Sequence, residues 1–254
     1  MRRGFTLVEL VVVLAVIAAL THLALRETWR FRDRELAKAA DRQLEELRRC
    51  VYDRGAGGPE GFLADMGRLP RLAEGTLAEL WTMPDGAQPY AVRCAVGPNL
   101  CPNVPPAANV FVPTGWRGPY LRLPVGRDRL LDPWGNPVEA EDAAGLSRVW
   151  TSNGFAVAVS HYGPSAQAGG ERREPLVPGG GASSRLVVTA ESDGEVSWYG
   201  PCDGLVTGVT ATVTAAAPAV FEGLSPGVRV LLFAGRARAI DVRPGDNLVS
   251  LRAD

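Results

Sequence analysis

The run of residues from Phe5 to Leu25 constrains this chain more than any other stretch. Only Thr6, Glu9, Thr21 and His22 interrupt its apolar character, and it holds no glycine or proline. A helix rising 1.5 Å per residue needs about 20 such residues to cross the hydrocarbon of a bilayer. Arg2 and Arg3 stand just before it, and the positive-inside bias keeps such a basic pair on the cytoplasmic side. The remaining residues then lie beyond the inner face. The pattern reads as a membrane anchor carrying an exported body.

Glu9 is out of place in that run. A carboxylate within a hydrocarbon-embedded helix costs roughly 2.5–3.5 kcal/mol, and acids kept at such positions are usually functional. It follows Phe5 by one helical turn. A chain cut between Gly4 and Phe5 would present a charged Phe5 amine to that carboxylate, or to the one on a neighbouring copy. Only contact between the two offsets their lost hydration. Two other readings compete. A secretory signal has a shorter apolar core without an acid and ends at a small-residue cleavage site; Ala18-Ala19-Leu20 and Leu23-Ala24-Leu25 are poor versions of one. A plain single-span anchor would tolerate Glu9 badly.

The segment from Arg2 to Leu10, followed by the apolar run from Val11 to Leu20, resembles the class III signal of type IV pilins and type II secretion pseudopilins. The resemblance implies that a prepilin peptidase cuts after Gly4 and N-methylates Phe5. It also implies that Glu9 pairs with a neighbouring subunit's N-terminal amine during filament assembly. The implied partners are that peptidase, other pilin or pseudopilin subunits and an inner-membrane assembly platform. The implied location is the bacterial inner membrane, single-pass, with the globular part in the periplasm or extracytoplasmic space. After processing, the chain would enter a pilus or pseudopilus.

Charge is balanced, with 27 basic residues against 28 acidic ones. Loss of Arg2 and Arg3 would leave 25 against 28. No basic field marks nucleic acid as a partner. Cys50, Cys94, Cys101 and Cys202 all lie beyond the anchor. An even count in an oxidising compartment reads as up to two disulfides, with three pairings open. Cys94 and Cys101 flank a turn-forming Ala-Val-Gly-Pro-Asn-Leu loop and are the preferred pair, which leaves Cys50 for Cys202. Zinc is the weaker alternative, because no CxxC spacing occurs and His161 is the only histidine outside the anchor.

From Arg26 to Arg54 the chain is strongly charged and free of glycine and proline. Leu36, Ala40, Leu44, Leu47 and Val51 recur at three- and four-residue steps, the apolar face of an amphipathic helix. With no breaker after Leu25, one helix is expected over residues 5–55, about 75 Å long. Gly55-Ala56-Gly57-Gly58-Pro59 would end it. The family's first helix has this form: its membrane half packs in the filament core and its outer half lies on a globular head. Many members carry a proline near the end of the apolar run, where this chain has Arg26.

Residues 56–181 read as that head. A short helix or turn is expected in residues 61–70 and 77–81, and strands in 91–96, 109–112 and 149–159. Gly118-Pro119-Tyr120-Leu121 and Asp132-Pro133-Trp134-Gly135-Asn136-Pro137 resemble the head of the major type II secretion pseudopilin. The second is turn chemistry in its own right: Asp132 accepts backbone bonds, Pro133 fixes φ and Gly135 permits positive φ. Trp134 would anchor the turn in the core, and sugar stacking on Trp116 or Trp134 is the lesser reading. That pseudopilin binds calcium in the loop after its last strand. The corresponding residues 160–170 have Ser165 where an aspartate would follow Gly163-Pro164, and only Glu171 and Glu174 lie nearby. Calcium prefers several carboxylates, so no metal and no cofactor is expected.

Residues 169–184 hold too many glycines and prolines for regular structure and read as a linker. Beyond it, residues 185–254 form short β runs divided by Gly/Pro turns, a small sandwich or barrel, with Thr207 to Thr214 as an exposed or edge strand. Val220 to Val230 and Val242 to Val249 are similar to carboxypeptidase-regulatory-like or Cna-B-like sandwich modules. Such modules are interaction or spacer units, and an added one suits a minor or tip subunit. Ser160-His161 could be imagined in a hydrolase, yet no nucleophile elbow or phosphate loop accompanies it, so no catalytic residue and no enzyme is expected.

The sequence thus predicts an α+β, pilin-like fold. A leader (1–4) precedes a long N-terminal helix (5–55, transmembrane over 5–25) packed on an antiparallel β-sheet head (56–181), and an all-β module (185–254) follows. The expected role is that of a structural filament subunit, a pseudopilin or minor pilin. The alternative is a pilin-anchored adhesive or substrate-binding subunit whose module meets a secreted substrate or surface ligand.

Overall fold

The computed structural model describes residues 7–55, 58–72, 76–142, 156–161, 172–176 and 184–252. The chain is α+β. Helix α1 (Leu7–Val51) runs for 45 residues, about 68 Å at 1.5 Å per residue, without a break at Arg26. It stops at Val51, short of Arg54. The Tyr52 N–H donates to Arg48 O at 2.7 Å as the last helical bond. The glycine-rich stretch then serves a second purpose, because β1 (Asp53–Gly55) folds back on β2 (Gly58–Glu60) as an antiparallel hairpin.

Helix α2 (Phe62–Met66) is a single buried turn-and-a-half closed by Gly67 in the left-handed region at φ 73°. Strands β3 (Ala91–Ala95) and β4 (Ala107–Thr114) pair antiparallel. Strands β5 (Glu139–Asp142), β6 (Ala156–His161) and β7 (Arg172–Pro175) form a separate antiparallel sheet. Strand β7 lies inside the expected linker. Its glycine neighbours hid four residues whose backbone is paired with β6, and the terminal Pro175 is compatible with an edge position. The head core gathers Leu44, Leu47 and Val51 of α1 with Phe62, Leu63, Met66, Leu69, Leu80, Leu121, Val159 and Leu176.

Seven strands follow: β8 (Ser184–Ala190), β9 (Gly194–Cys202), β10 (Leu205–Val213), β11 (Ala219–Leu224), β12 (Gly227–Phe233), β13 (Arg236–Val242) and β14 (Gly245–Leu251). They make a four-stranded sheet ordered β10-β9-β12-β13 and a three-stranded sheet ordered β11-β8-β14. All pairs are antiparallel except β14 with β8. Leu186, Val188, Val196, Val213, Phe221, Leu231, Phe233 and Val242 fill the space between the sheets. Strand β10 is an edge strand, in agreement with its loose Val/Thr pattern. Strand β11 lies in the stretch from Val220 that resembles the sandwich modules.

The four-stranded sheet is covered on its other face as well. There Tyr199, Val206 and Val230 are buried against Ala95, Ala107, Val110 and Val112 of β3 and β4. That explains the unalternating apolar run Val230-Leu231-Leu232-Phe233, since a strand covered on both faces has no solvent side. One sheet therefore belongs to both the sandwich and the head.

Candidate functional site

The two ends of α1 have opposite surroundings. Its C-terminal part buries Ala40, Leu44, Leu47 and Val51 in the head, with Leu36 half-buried above them. Gln43 Nε2 donates to Leu131 O at 2.8 Å and the Cys50 thiol to Tyr120 O at 2.9 Å, which fixes the rotation of the helix on the head. Its N-terminal part, residues 7–35, is exposed throughout. Leu7 is 79 % exposed and Leu20 61 %. A helix apolar on every side has no solvent face and must be covered all round, by lipid or by other helices.

Details of this exposed half suit hydrocarbon. Thr21 and Thr28 donate their hydroxyls to Ile17 O and Ala24 O, both at 2.8 Å, so neither polar group needs water. Trp29 and Phe31 are exposed just past the apolar run, among Arg26, Arg30, Arg32 and Arg34. Aromatic rings next to cations mark the membrane–water boundary. Arg30 pairs with Glu27 at 3.1 Å and Arg32 stacks on Trp29 with its guanidinium 5.9 Å from the ring centre. Glu9 lies in the first turn of α1 and on its exposed surface. Gly4 and Phe5 lie outside the described residues.

The two head motifs are structural cradles. In Gly118-Pro119-Tyr120-Leu121, Tyr120 N and Leu121 N both donate to Leu80 O, at 2.8 and 3.1 Å. The Tyr120 ring meets Phe62 and Trp116 edge-on. Its hydroxyl donates to Asp65 Oδ2 at 3.0 Å while accepting from Arg117 N at 3.0 Å, and Arg117 NH2 donates to Asp65 Oδ1 at 2.9 Å. Burial, and then the Asp65 charge, push the Tyr120 phenol above its ordinary value against the opposing Arg117 N–H. In the second motif the buried Asp132 accepts from Trp134 N at 3.0 Å and Asn136 N at 2.7 Å through one oxygen, and Gly135 takes φ 94°. Trp116 is fixed by its indole N–H to Glu79 O at 2.9 Å. Trp134 is half-buried.

A clamp unseen in the sequence joins the head to the sandwich. The β9–β10 turn is Asp203-Gly204, with φ of 53° and 82°. Its Asp203 N donates to Met66 O at 2.8 Å. Its carboxylate accepts from Arg68 Nε and Arg71 NH2, both at 2.7 Å. Arg68 also forks onto Glu79, NH1 to Oε2 at 2.5 Å and NH2 to Oε1 at 3.0 Å. Burial works to lower the Arg68 guanidinium, but Glu79 and Asp203 outweigh it and hold it above its ordinary value. Gly67 is the tightest point: a Cβ there would stand 1.9 Å from Pro201 O. A second arginine, Arg229, is wholly buried beside Gly200 and donates to Ser225 O at 2.5 Å and Pro226 O at 3.1 Å. Burial pulls its guanidinium down to about 9.

The four cysteines are all thiols. Cys94 donates to Ala108 O of β4 at 3.2 Å, and Cys50 is engaged with Tyr120 O. The Cys101 thiol lies 3.6 Å from Cys202 O. Among the described residues no three His, Cys, Asp or Glu side chains converge as a metal site. The calcium-loop counterpart lies largely outside the described residues, at 162–171.

The exposed span and the packed body behind it define a class: an α+β protein carried on one long, membrane-competent helix. Residues 1–25 match the family model of the prokaryotic N-terminal methylation motif. Motif and helix together fit a type IV pilin or pseudopilin, and the motif implies prepilin-peptidase processing and assembly with other pilin subunits. No curated protein matches the chain.

Proposed function

We propose that this chain is a structural filament subunit, a pseudopilin or minor pilin of a type II secretion or type IV pilus-like machine. In this reading Gly4–Phe5 is the cleaved bond and Phe5 the methylated N-terminus. Glu9 meets the N-terminal amine of a neighbouring subunit, and the body faces the periplasm. One observation supports it above the rest: an all-round apolar helix, bare from Leu7 to beyond Leu25, bears a single acid directly behind the methylation motif. Such a helix is completed by copies of itself. An unpaired carboxylate in that bundle is costly, so pairing sets the axial register of each added subunit.

The test is mass and N-terminal sequence of the protein from its native membrane, together with Glu9→Val in the same cells. The expected result is N-methylated Phe5 in both proteins, with the variant retained in the membrane but missing from sheared filaments or cross-linked subunit ladders. A Met1 start, a cut beyond Ala18, or normal assembly of Glu9→Val would overturn the reading.

A second reading, binding through the module, has a specific observation in its favour. A groove of about 540 Å³ opens between the β13 and β14 edges, floored by Leu231 and Phe233 and lined by Arg236, Arg238 and Arg252. Three guanidinium groups over an apolar floor suit a carboxylate- or phosphate-bearing partner. Arg236→Glu with Arg238→Glu should then abolish capture of that partner and leave assembly intact.

A further inference from the structure

The geometry points to Cys101 and Cys202 as a disulfide that fastens the β9–β10 turn of the sandwich to the β3–β4 connection of the head. This rests on the exported location of the body, since an oxidising compartment is needed to keep the bond.

The backbone already holds the two residues together. Leu100 forms a parallel bridge with Val206, and Cys101 N donates to Val206 O at 2.8 Å. Strand β10 is in turn paired with β9, with Leu205 opposite Cys202 at the mouth of the hairpin. The Cys101 thiol is 3.6 Å from Cys202 O. The same turn is pinned by Met66 O, Arg68 and Arg71. The two cysteines are thus held as neighbours in the native state, the first condition for a disulfide. Both are only partly buried, so a reagent can reach them. Cys50 and Cys94 are each turned to a backbone carbonyl on a different element.

The chemistry is thiol–disulfide exchange with a dithiol oxidoreductase in its disulfide form. Burial, then Cys202 and Asp203, push the Cys101 thiol up to about 12; one cysteine of the pair attacks first. Its thiolate, having lost a proton, forms a mixed disulfide and releases one sulfur of the oxidant as thiolate. The other cysteine then gives up its proton and attacks the sulfur of the first, expelling the second sulfur of the oxidant. The products are the Cys101–Cys202 bond and the reduced dithiol: two electrons pass to the oxidant, and the two protons lost by the cysteines balance those it takes up.

The bond would close a loop of about a hundred residues. Covalent closure of so long a loop restricts the unfolded chain far more than the folded one.

The experiment is peptide mapping of the full-length protein from native membranes, acid-quenched and alkylated before digestion without reductant. The peptide between Arg93 and Arg117 carries both Cys94 and Cys101, so fragmentation assigns the linked sulfur. A Cys101–Cys202 cross-link, with Cys50 and Cys94 alkylated, is the expected result. Alkylated Cys101 and Cys202, or a Cys94–Cys101 link, would overturn the inference. The N-terminal peptide of the same digest separates the two proposals. Methylated Phe5 beside alkylated Cys101 sinks the disulfide alone, and an unprocessed N-terminus beside the Cys101–Cys202 link sinks the filament reading alone. In oxidised, detergent-solubilised protein, Cys101→Ser and Cys202→Ser should each lower Tm by roughly 10 °C, and the double variant by no more than either. Additive shifts would overturn the pairing.

Discussion

Replacing Arg68 by methionine tests whether head and sandwich are held by the clamp or merely lie side by side. The Arg68 side chain is 7 % exposed and that of Glu79 11 %, whereas the Asp203 side chain is 41 % exposed. Methionine keeps most of the aliphatic stem, so the packing loss is small. Glu79 is the group left in difficulty. It retains the Arg71 N–H at 2.8 Å but loses both arms of the guanidinium fork. Removing one partner of a buried pair costs about 3–5 kcal/mol, and the surviving backbone bond places the change near the lower end. Asp203 keeps Arg71 and water, and its share is about 1 kcal/mol or less. A loss of about 3–4 kcal/mol corresponds to a Tm drop of roughly 6–15 °C. The assay is urea or thermal unfolding of the full chain in detergent, followed by near-UV circular dichroism of its tryptophans. Arg68→Met combined with Glu79→Leu should recover part of the loss, because an apolar pair in the same space carries no stranded charge. A loss below about 1 kcal/mol in the single variant, or a double variant worse than the sum of the two, would refute the reasoning.

Three further outcomes follow from the same contacts. Gly67→Ala combines a left-handed φ of 73° with a Cβ 1.9 Å from Pro201 O, so it should cost more than the roughly 1–2 kcal/mol of the backbone conformation alone and expose the sandwich–head seam to protease. Asp132→Ala removes the acceptor of two backbone N–H groups in a buried turn; a loss of about 1–3 kcal/mol is expected on denaturant titration, and Asp132→Asn should recover part of it. The Tyr120 phenol is raised in the folded state, so the folded protein holds its proton more tightly than the unfolded one. Its contribution is complete below pH about 10 and is lost as pH rises beyond that; unfolding between pH 9 and 11 should show a steeper fall for the native chain than for Tyr120→Phe.

What could be read directly from the chain was local. The apolar run, the 3.6-residue recurrence of Ala40, Leu44, Leu47 and Val51, and the Asp132 turn each carry their geometry within a few residues. Strands β3, β4 and β6 were visible for the same reason. What escaped depends on distant partners. Arg68 looks like any surface arginine until Glu79 and Asp203 are brought to it from 11 and 135 residues away. Strand β7 is short and its stability comes from β6, not from its own composition. The bridge from Leu100 to Val206 of β10, which sets the surroundings of Cys101, likewise joins residues far apart in the chain. One signal was available: Asp203-Gly204 between two apolar strands is hairpin chemistry, and its position next to Cys202 could have drawn attention to that end of the sheet.

The doubly covered sheet also sets a timetable for maturation. The inner wall of β3–β4 is Ala95, Ala107, Val110 and Val112, and its opposite wall is supplied by Tyr199, Val206 and Val230. A chain that has emerged only as far as residue 183 has no partner for that surface. The head must therefore wait, half-closed, for the last quarter of the polypeptide to arrive. During that interval an apolar hairpin stands open to aggregation or to a chaperone. Folding of the body is committed late and as a whole, and truncation at residue 184 would yield an incompletely folded head, not a smaller working one.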